Sequence, residues 1–215
     1  MFESKVSYRK CGHEGVDEFL WITSDTGAYG HEKDGPLFDW IQGKDSFMET
    51  VRNFNTVVQA GGNCGMYPRF YKNYFKNVYT FEPDDTNYHC LDINCVGEGY
   101  HKFHGGLGST TDSFTLKNRS VTNVGTHKIV DIPGNVKMYR IDDLGLAECD
   151  LIHLDVEGYE SKVLQGSIET IKKFKPVVIT ENAGGSDILL SLGYRVHAEL
   201  RMDTVFTPGR CFYNE

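Results

Sequence analysis

From about Asn55 onward the chain alternates short apolar runs with amphipathic stretches, the signature of a parallel sheet flanked by helices on both faces. The runs predict strands at Thr56–Ala60, Val78–Phe81, Tyr100–His104, Leu151–Asp155, Val177–Glu181, Tyr194–His197 and Cys211–Tyr213, the last one reversed. A helix is expected over Met66–Phe75, where Pro68 suits a first turn. Another is expected over Glu160–Lys173, with Leu164, Ile168 and Ile171 on one face. Between Gly108 and Val136 the periodicity gives way to Ser, Thr, Asn and Pro-Gly signals. There Ser113–Leu116 and Lys128–Ile132 read as a small hairpin in place of a helix. Residues 1–52 differ in texture, with Trp21, Tyr29 and Trp40 among many glycines. They read as a loop-rich N-terminal cap, with a short helix near Asp45–Val51, on a single α/β domain spanning 53–215.

The first strand empties into Gly61, Gly62 and Gly65, and Glu82 ends the second, 21 positions beyond Gly61. Glycines at a strand-to-helix turn let a ligand approach the backbone, and a carboxylate at the next strand end can accept both hydroxyls of a ribose. The dinucleotide register starting at Gly61 meets Asn63 and Met66 where glycines belong, and no Lys-Ser/Thr pair follows, so neither a pyrophosphate fingerprint nor a P-loop is present. The edge is a nucleoside site without a pyrophosphate cradle.

The second half of the chain sharpens this. Arg140-Ile-Asp-Asp-Leu144, Cys149-Asp-Leu-Ile-His-Leu-Asp-Val-Glu-Gly-Tyr-Glu160, Val163-Leu-Gln-Gly166 and Lys175-Pro-Val-Val-Ile-Thr-Glu-Asn182 resemble the FkbM-type methyltransferase family, from Asn53 to Phe206. The resemblance implies a Rossmann-like class I methyltransferase domain with a mostly parallel seven-stranded sheet. It also implies S-adenosylmethionine (SAM) as cofactor and methylation of a hydroxyl on a glycan or small metabolite. The implied cofactor contacts are Gln59, Ala60, Gly61, Asn63, Gly65, Glu82, Pro83, Gly106, Leu107 and Asp155, with Leu107 against the adenine. The sequence departs from the family where Gln59 replaces an acidic residue and His153 a lysine. Gln59 can hydrogen-bond the methionyl end of the cofactor but cannot neutralise its amino group. A nicotinamide-dependent reductase and a catalytically inactive SAM-binding module remain as competing readings.

Ligands of open α/β sheets bind outside the carboxyl ends of the strands, where Asp155, Glu181 and Asn182 fall. Their hard oxygens suit Mg²⁺, which would activate a substrate hydroxyl; otherwise Asp155 bonds the cofactor and Glu181 a loop amide. His153, two residues before Asp155 on one strand face, is the alternative base, and Glu157 is placed toward the substrate. Glu160 reads as a helix-start carboxylate.

Charge and composition narrow the partners. A net charge of −8 with no basic run argues against a nucleic-acid backbone as partner. Six cysteines without C-x-x-C spacing read as reduced thiols of a cytoplasmic protein, and no apolar stretch of membrane-spanning length occurs.

Overall fold

The computed structural model describes residues 5–13, 16–25, 44–117, 120 and 122–209. Its centre is a seven-stranded sheet built from β3 (Thr56–Ala60), β4 (Asn77–Glu82), β5 (Tyr100–His104), β10 (Leu151–Leu154), β11 (Val177–Glu181), β12 (Tyr194–Leu200) and β13 (Asp203–Pro208). The order is β12-β13-β11-β10-β3-β4-β5, and all pairings are parallel except those of β13, which runs against both β11 and β12. The mostly parallel sheet with one reversed strand is thus present. The reversed strand is Asp203–Pro208, and the strand expected at Cys211–Tyr213 lies outside the described residues.

Side chains alternate across a strand, so β3 and β10 feed two separate cores. Val57, Leu151, Ile179 and Val205 join Met66, Phe70 and Tyr71 of α1 (Met66–Lys72) and Cys90 of α2 (Asp85–Asn94) in one cluster. Val58, Ala60, Ile152, Leu154, Val178 and Phe206 join a second cluster. Its helical members are Val163 and Leu164 of α3 (Glu160–Gln165), Ile171 of α4 (Ile168–Phe174) and Leu189 of α5 (Ser186–Ser191).

The single helix expected over Glu160–Lys173 is therefore two, α3 and α4. At the break Gly166 O accepts Asp142 N–H at 3.0 Å and Thr170 N–H turns to Asp142 Oδ1 instead of continuing the helix; a Cβ on Gly166 would lie 2.0 Å from the Gly108 carbonyl oxygen, so only glycine fits this approach. Helix α1 stops at Lys72, short of Phe75.

Two short parallel strands, β6 (Gly106–Leu107) and β9 (Met138–Tyr139), follow β5 and precede β10. Between them lies an antiparallel hairpin of β7 (Phe114–Lys117) and β8 (Lys128–Pro133), in the place the sequence predicts. At the N-terminus β1 (Val6–His13) and β2 (Val16–Ile22) pair antiparallel. Phe19 and Trp21 of β2 are fully buried in the cluster that holds α1, so Trp21 is an anchor, its Nε1 donating to Asp25 Oδ2 at 2.8 Å. A 3₁₀ turn over Lys44–Thr50 stands where the short helix was expected; Tyr29 and Trp40 are outside the described residues.

Candidate active site

The carboxyl ends of β3, β4, β10 and β11 open into one cavity of about 620 Å³. That volume is in the range of cofactor and small-molecule sites. Ala60, Gly61, Asn63, Glu82, Pro83, Gly106, Leu107 and Asp155 line it, as do Glu157, Glu181 and Asn182.

At one end stands Glu82, 4% exposed. Its Oε2 accepts Asn63 N–H at 2.7 Å and its Oε1 accepts Asp84 N–H at 2.8 Å, with Asn87 Nδ2 at 3.5 Å. Burial pushes its carboxyl up to about 7, a shift that these hydrogen bonds oppose without cancelling. Asp84 caps α2 by accepting from Thr86 and Asn87 N–H, which fixes the chain just after Glu82.

The glycine loop is shaped by contacts with the protein interior. Gly61 has φ +82°, and a Cβ there would lie 1.9 Å from the Asp155 carbonyl oxygen. The close approach is thus to the chain entering the cavity from β10. Asn63 itself takes φ 47°, and its Oδ1 accepts Cys64 N–H at 2.7 Å. Gly65 does not line the cavity; a Cβ there would meet Cys95 Sγ at 2.8 Å.

Two other expected residues also lie off the cavity. Gln59 is fully buried below the loop, its amide donating to Ala60 O and Gly61 O at 3.1 and 2.9 Å and its Oε1 accepting from Thr80 Oγ1 at 2.7 Å. It braces the turn and is not among the residues that line the cavity. His153 is 2% exposed, with Nδ1 2.8 Å from Tyr71 Oη and its ring edge-on to Tyr67 at 4.5 Å. Strand β10 ends at Leu154, so the alternation that would align His153 with Asp155 stops one residue early. Tyr67 lines the cavity while His153 does not, and a general-base role for His153 is not what this geometry offers.

The other end of the cavity is acidic. Asp155, Glu157 and Glu181, all half-buried, present carboxylate oxygens within 4.8 Å of one another. Glu157 enters this group through φ 56°, followed by Gly158 at φ 91°. Glu160, 3% exposed, pins the turn, its Oε1 accepting Val156 and Gly158 N–H, each at 3.2 Å. Asn182 lines the cavity beside them, with its backbone N–H bonded to Met202 O at 2.6 Å.

The sequence reading did not find the wall formed by Asn123–Ile129, nor Met202 and Asp203. The wall is tied to α2 by Asn87 Nδ2, which donates to Val124 O at 3.2 Å, and by His127 Nδ1 at 3.5 Å from Asp84 Oδ2. Its local signal was only an Asn-Val-Gly-Thr turn, with Asn123 Oδ1 accepting Gly125 N–H at 3.0 Å.

A solved FkbM methyltransferase from Methylobacillus flagellatus KT is 19% identical and matches 71% of this chain with TM-score 0.49; the chain spans 43% of that protein's length. An rRNA methylase from Streptococcus thermophilus is 12% identical over 79% of this chain and 96% of its own, TM-score 0.46. The magnesium protoporphyrin IX methyltransferase from Synechocystis PCC 6803, with bound SAM, is 11% identical over 80% and 76%, TM-score 0.43. A search of curated proteins gave no match. The model of the methyltransferase FkbM domain matches residues 60–196, well over half of the chain, and the protein belongs to that family.

Proposed function

We propose that the protein is a SAM-dependent O-methyltransferase acting on a hydroxyl of a glycan or small metabolite. The observation that carries this reading is one cavity with a buried carboxylate, Glu82, at one end and three converging carboxyls at the other. Glu82 and the loop at Gly61–Asn63 are placed to hold a ribose and the chain attached to it, with Leu107, 1% exposed, and Pro83 as apolar surface for a base.

SAM supplies an electrophilic methyl on a sulfonium. The carboxylates of Asp155, Glu157 and Glu181 supply negative charge at the end of the cavity where a positive centre and a hydroxyl would meet. Bound beside these carboxylates, SAM would offer its methyl to an acceptor hydroxyl, and its sulfur would keep the electron pair of the broken bond. Asp155 or Glu157 takes the hydroxyl proton. The same carboxylates, with Asn182, have the hard oxygens that would hold Mg²⁺, which lowers the pKa of a bound hydroxyl.

The net charge of −8 favours an acceptor that is neither a nucleic acid nor an anionic membrane surface. Among the described residues no helix is long and apolar enough to cross a membrane. Calorimetry with S-adenosylhomocysteine and with NAD(H) tests the cofactor: micromolar binding of the first and none of the second is expected, and the reverse would replace the reading with a reductase. Methyl transfer to panels of sugars and small alcohols then separates an enzyme from a binding module.

A further inference from the structure

We infer that Asn94 is a positioning residue for the Asn63–Gly65 turn, and that through it the N-terminal hairpin sets how well this turn holds an adenosyl ligand. The inference rests on the cofactor reading above. It concerns residues that contribute nothing to the cavity lining: among the described residues none before Ala60 lines it, and Asn94 does not. The hairpin also precedes the span matched by the family model.

Asn94 closes α2 and is 5% exposed. Its Oδ1 accepts Leu20 N–H at 2.8 Å, and its Nδ2 donates to Leu20 O at 2.8 Å and to Cys64 O at 2.7 Å. Two carbonyls face Nδ2 and an amide N–H faces Oδ1, so the orientation of the side-chain amide is fixed by its partners. Its own carbonyl accepts Arg69 Nη1 at 2.6 Å, which draws in α1. One side chain thereby joins β2, α2 and the cofactor turn.

The turn is held from two sides. Asn63 at φ 47° and Gly65 at φ 101°, both of types that tolerate the left-handed region, bracket Cys64, and contacts from outside fix the segment. Above, Asn63 N–H is fixed by Glu82; below, Cys64 O is fixed by Asn94, and Cys95 Sγ lies 3.5 Å from Gly65 O. Phe19 and Trp21 of the hairpin pack in the same apolar cluster as Cys64, Met66 and Tyr67. Any shift of β2 is transmitted to Cys64 through a bonded amide, and a shift of Cys64 carries the Asn63 N–H that orients Glu82.

The test uses the full chain and S-adenosylhomocysteine. Asn94→Ala is expected to weaken binding about tenfold, the loss of more than one buried hydrogen bond at the turn. It should also move the ¹H–¹⁵N resonances of Asn63 and Cys64 in the ligand-free protein. Ile171→Ala, in the opposite core, should lower Tm while leaving Kd within about twofold, which separates positioning from general destabilisation. Coupling is reciprocal, so in the wild type saturation with S-adenosylhomocysteine should slow hydrogen exchange at the Leu20 amide roughly threefold or more. The inference is overturned by an unchanged Kd in folded Asn94→Ala, or by Leu20 exchange that ignores the ligand. A wild type that does not bind S-adenosylhomocysteine overturns the cofactor reading instead, and the resonances of Asn63 and Cys64 then still report whether Asn94 shapes the turn.

Discussion

The two ends of the cavity are built on opposite principles. Around Glu82 the chain satisfies itself: both carboxylate oxygens already accept backbone N–H groups, and Asp84 caps α2 one residue after Pro83. Around Asp155, Glu157 and Glu181 the chain concentrates like charge, three carboxyls within 4.8 Å, two from a turn with successive residues at positive φ and one from the end of β11. A preorganised end binds with little reorganisation. A like-charged end is costly alone and becomes favourable when a positive centre or cation arrives. The first end is suited to recognition and the second to chemistry.

The strongest test attacks the seam between them. Gly61→Val would force a branched side chain against the Asp155 carbonyl at a left-handed position. The expected result is loss of cooperative unfolding by circular dichroism, not merely loss of ligand binding. A folded variant with a normal melting curve would show that the seam can open.

Next in size is the acidic end. Asp155→Asn should lower turnover about 10²- to 10⁴-fold while leaving the S-adenosylhomocysteine Kd nearly unchanged. Equal losses in both would move Asp155 from chemistry to recognition. Chelation with EDTA followed by Mg²⁺ addition divides the two routes: recovery indicates an ion among these carboxylates, and indifference indicates proton transfer to a carboxylate directly.

Glu82→Ala should weaken S-adenosylhomocysteine by roughly one to two decades, from the loss of charge-assisted bonds worth about 1.5–3 kcal/mol. Unchanged affinity would remove the buried carboxylate from the site.

The smallest effect is a pH dependence. Burial raises Glu82 from 4.5 to about 7 in the ligand-free protein. The folded state therefore holds this proton more tightly than the unfolded chain, and its stability contribution falls as pH rises from about 4.5 through 7. A ribose donating to the carboxylate favours the ionised form, so affinity should rise roughly five- to tenfold between pH 6 and pH 8. Flat binding across that range would mean that the hydroxyls do not meet Glu82.

Much of this was legible in the chain. The runs at Thr56–Ala60, Tyr100–His104 and Val177–Glu181 are strands with the predicted boundaries; the first and third are buried almost throughout, as parallel strands covered on both faces are, while Tyr100–His104 is a half-buried edge strand. Gln59 and His153, where the chain departs from the family pattern, are register partners on β3 and β10, a relation no linear reading contains. The family resemblance assigned Gln59 to the cofactor, and the strand face shared with Asp155 made His153 a candidate base. The structure turns Gln59 toward Thr80 and His153 toward Tyr71.

The sequence by itself determined the alternating architecture, the glycine turn followed by Glu82, and the acids at the ends of the central strands. These follow from local periodicity and from residue types that only certain backbone positions tolerate. Tertiary structure decided which of those residues share a space. It broke the predicted helix at Gly166 against Gly108, brought Asn123–Ile129 to the cavity wall, joined Glu157 to Asp155 and Glu181, and tied Leu20 to Cys64 through Asn94. Such contacts depend on backbone approach between segments distant in sequence, where a hydrogen bond or a missing Cβ leaves no periodic trace.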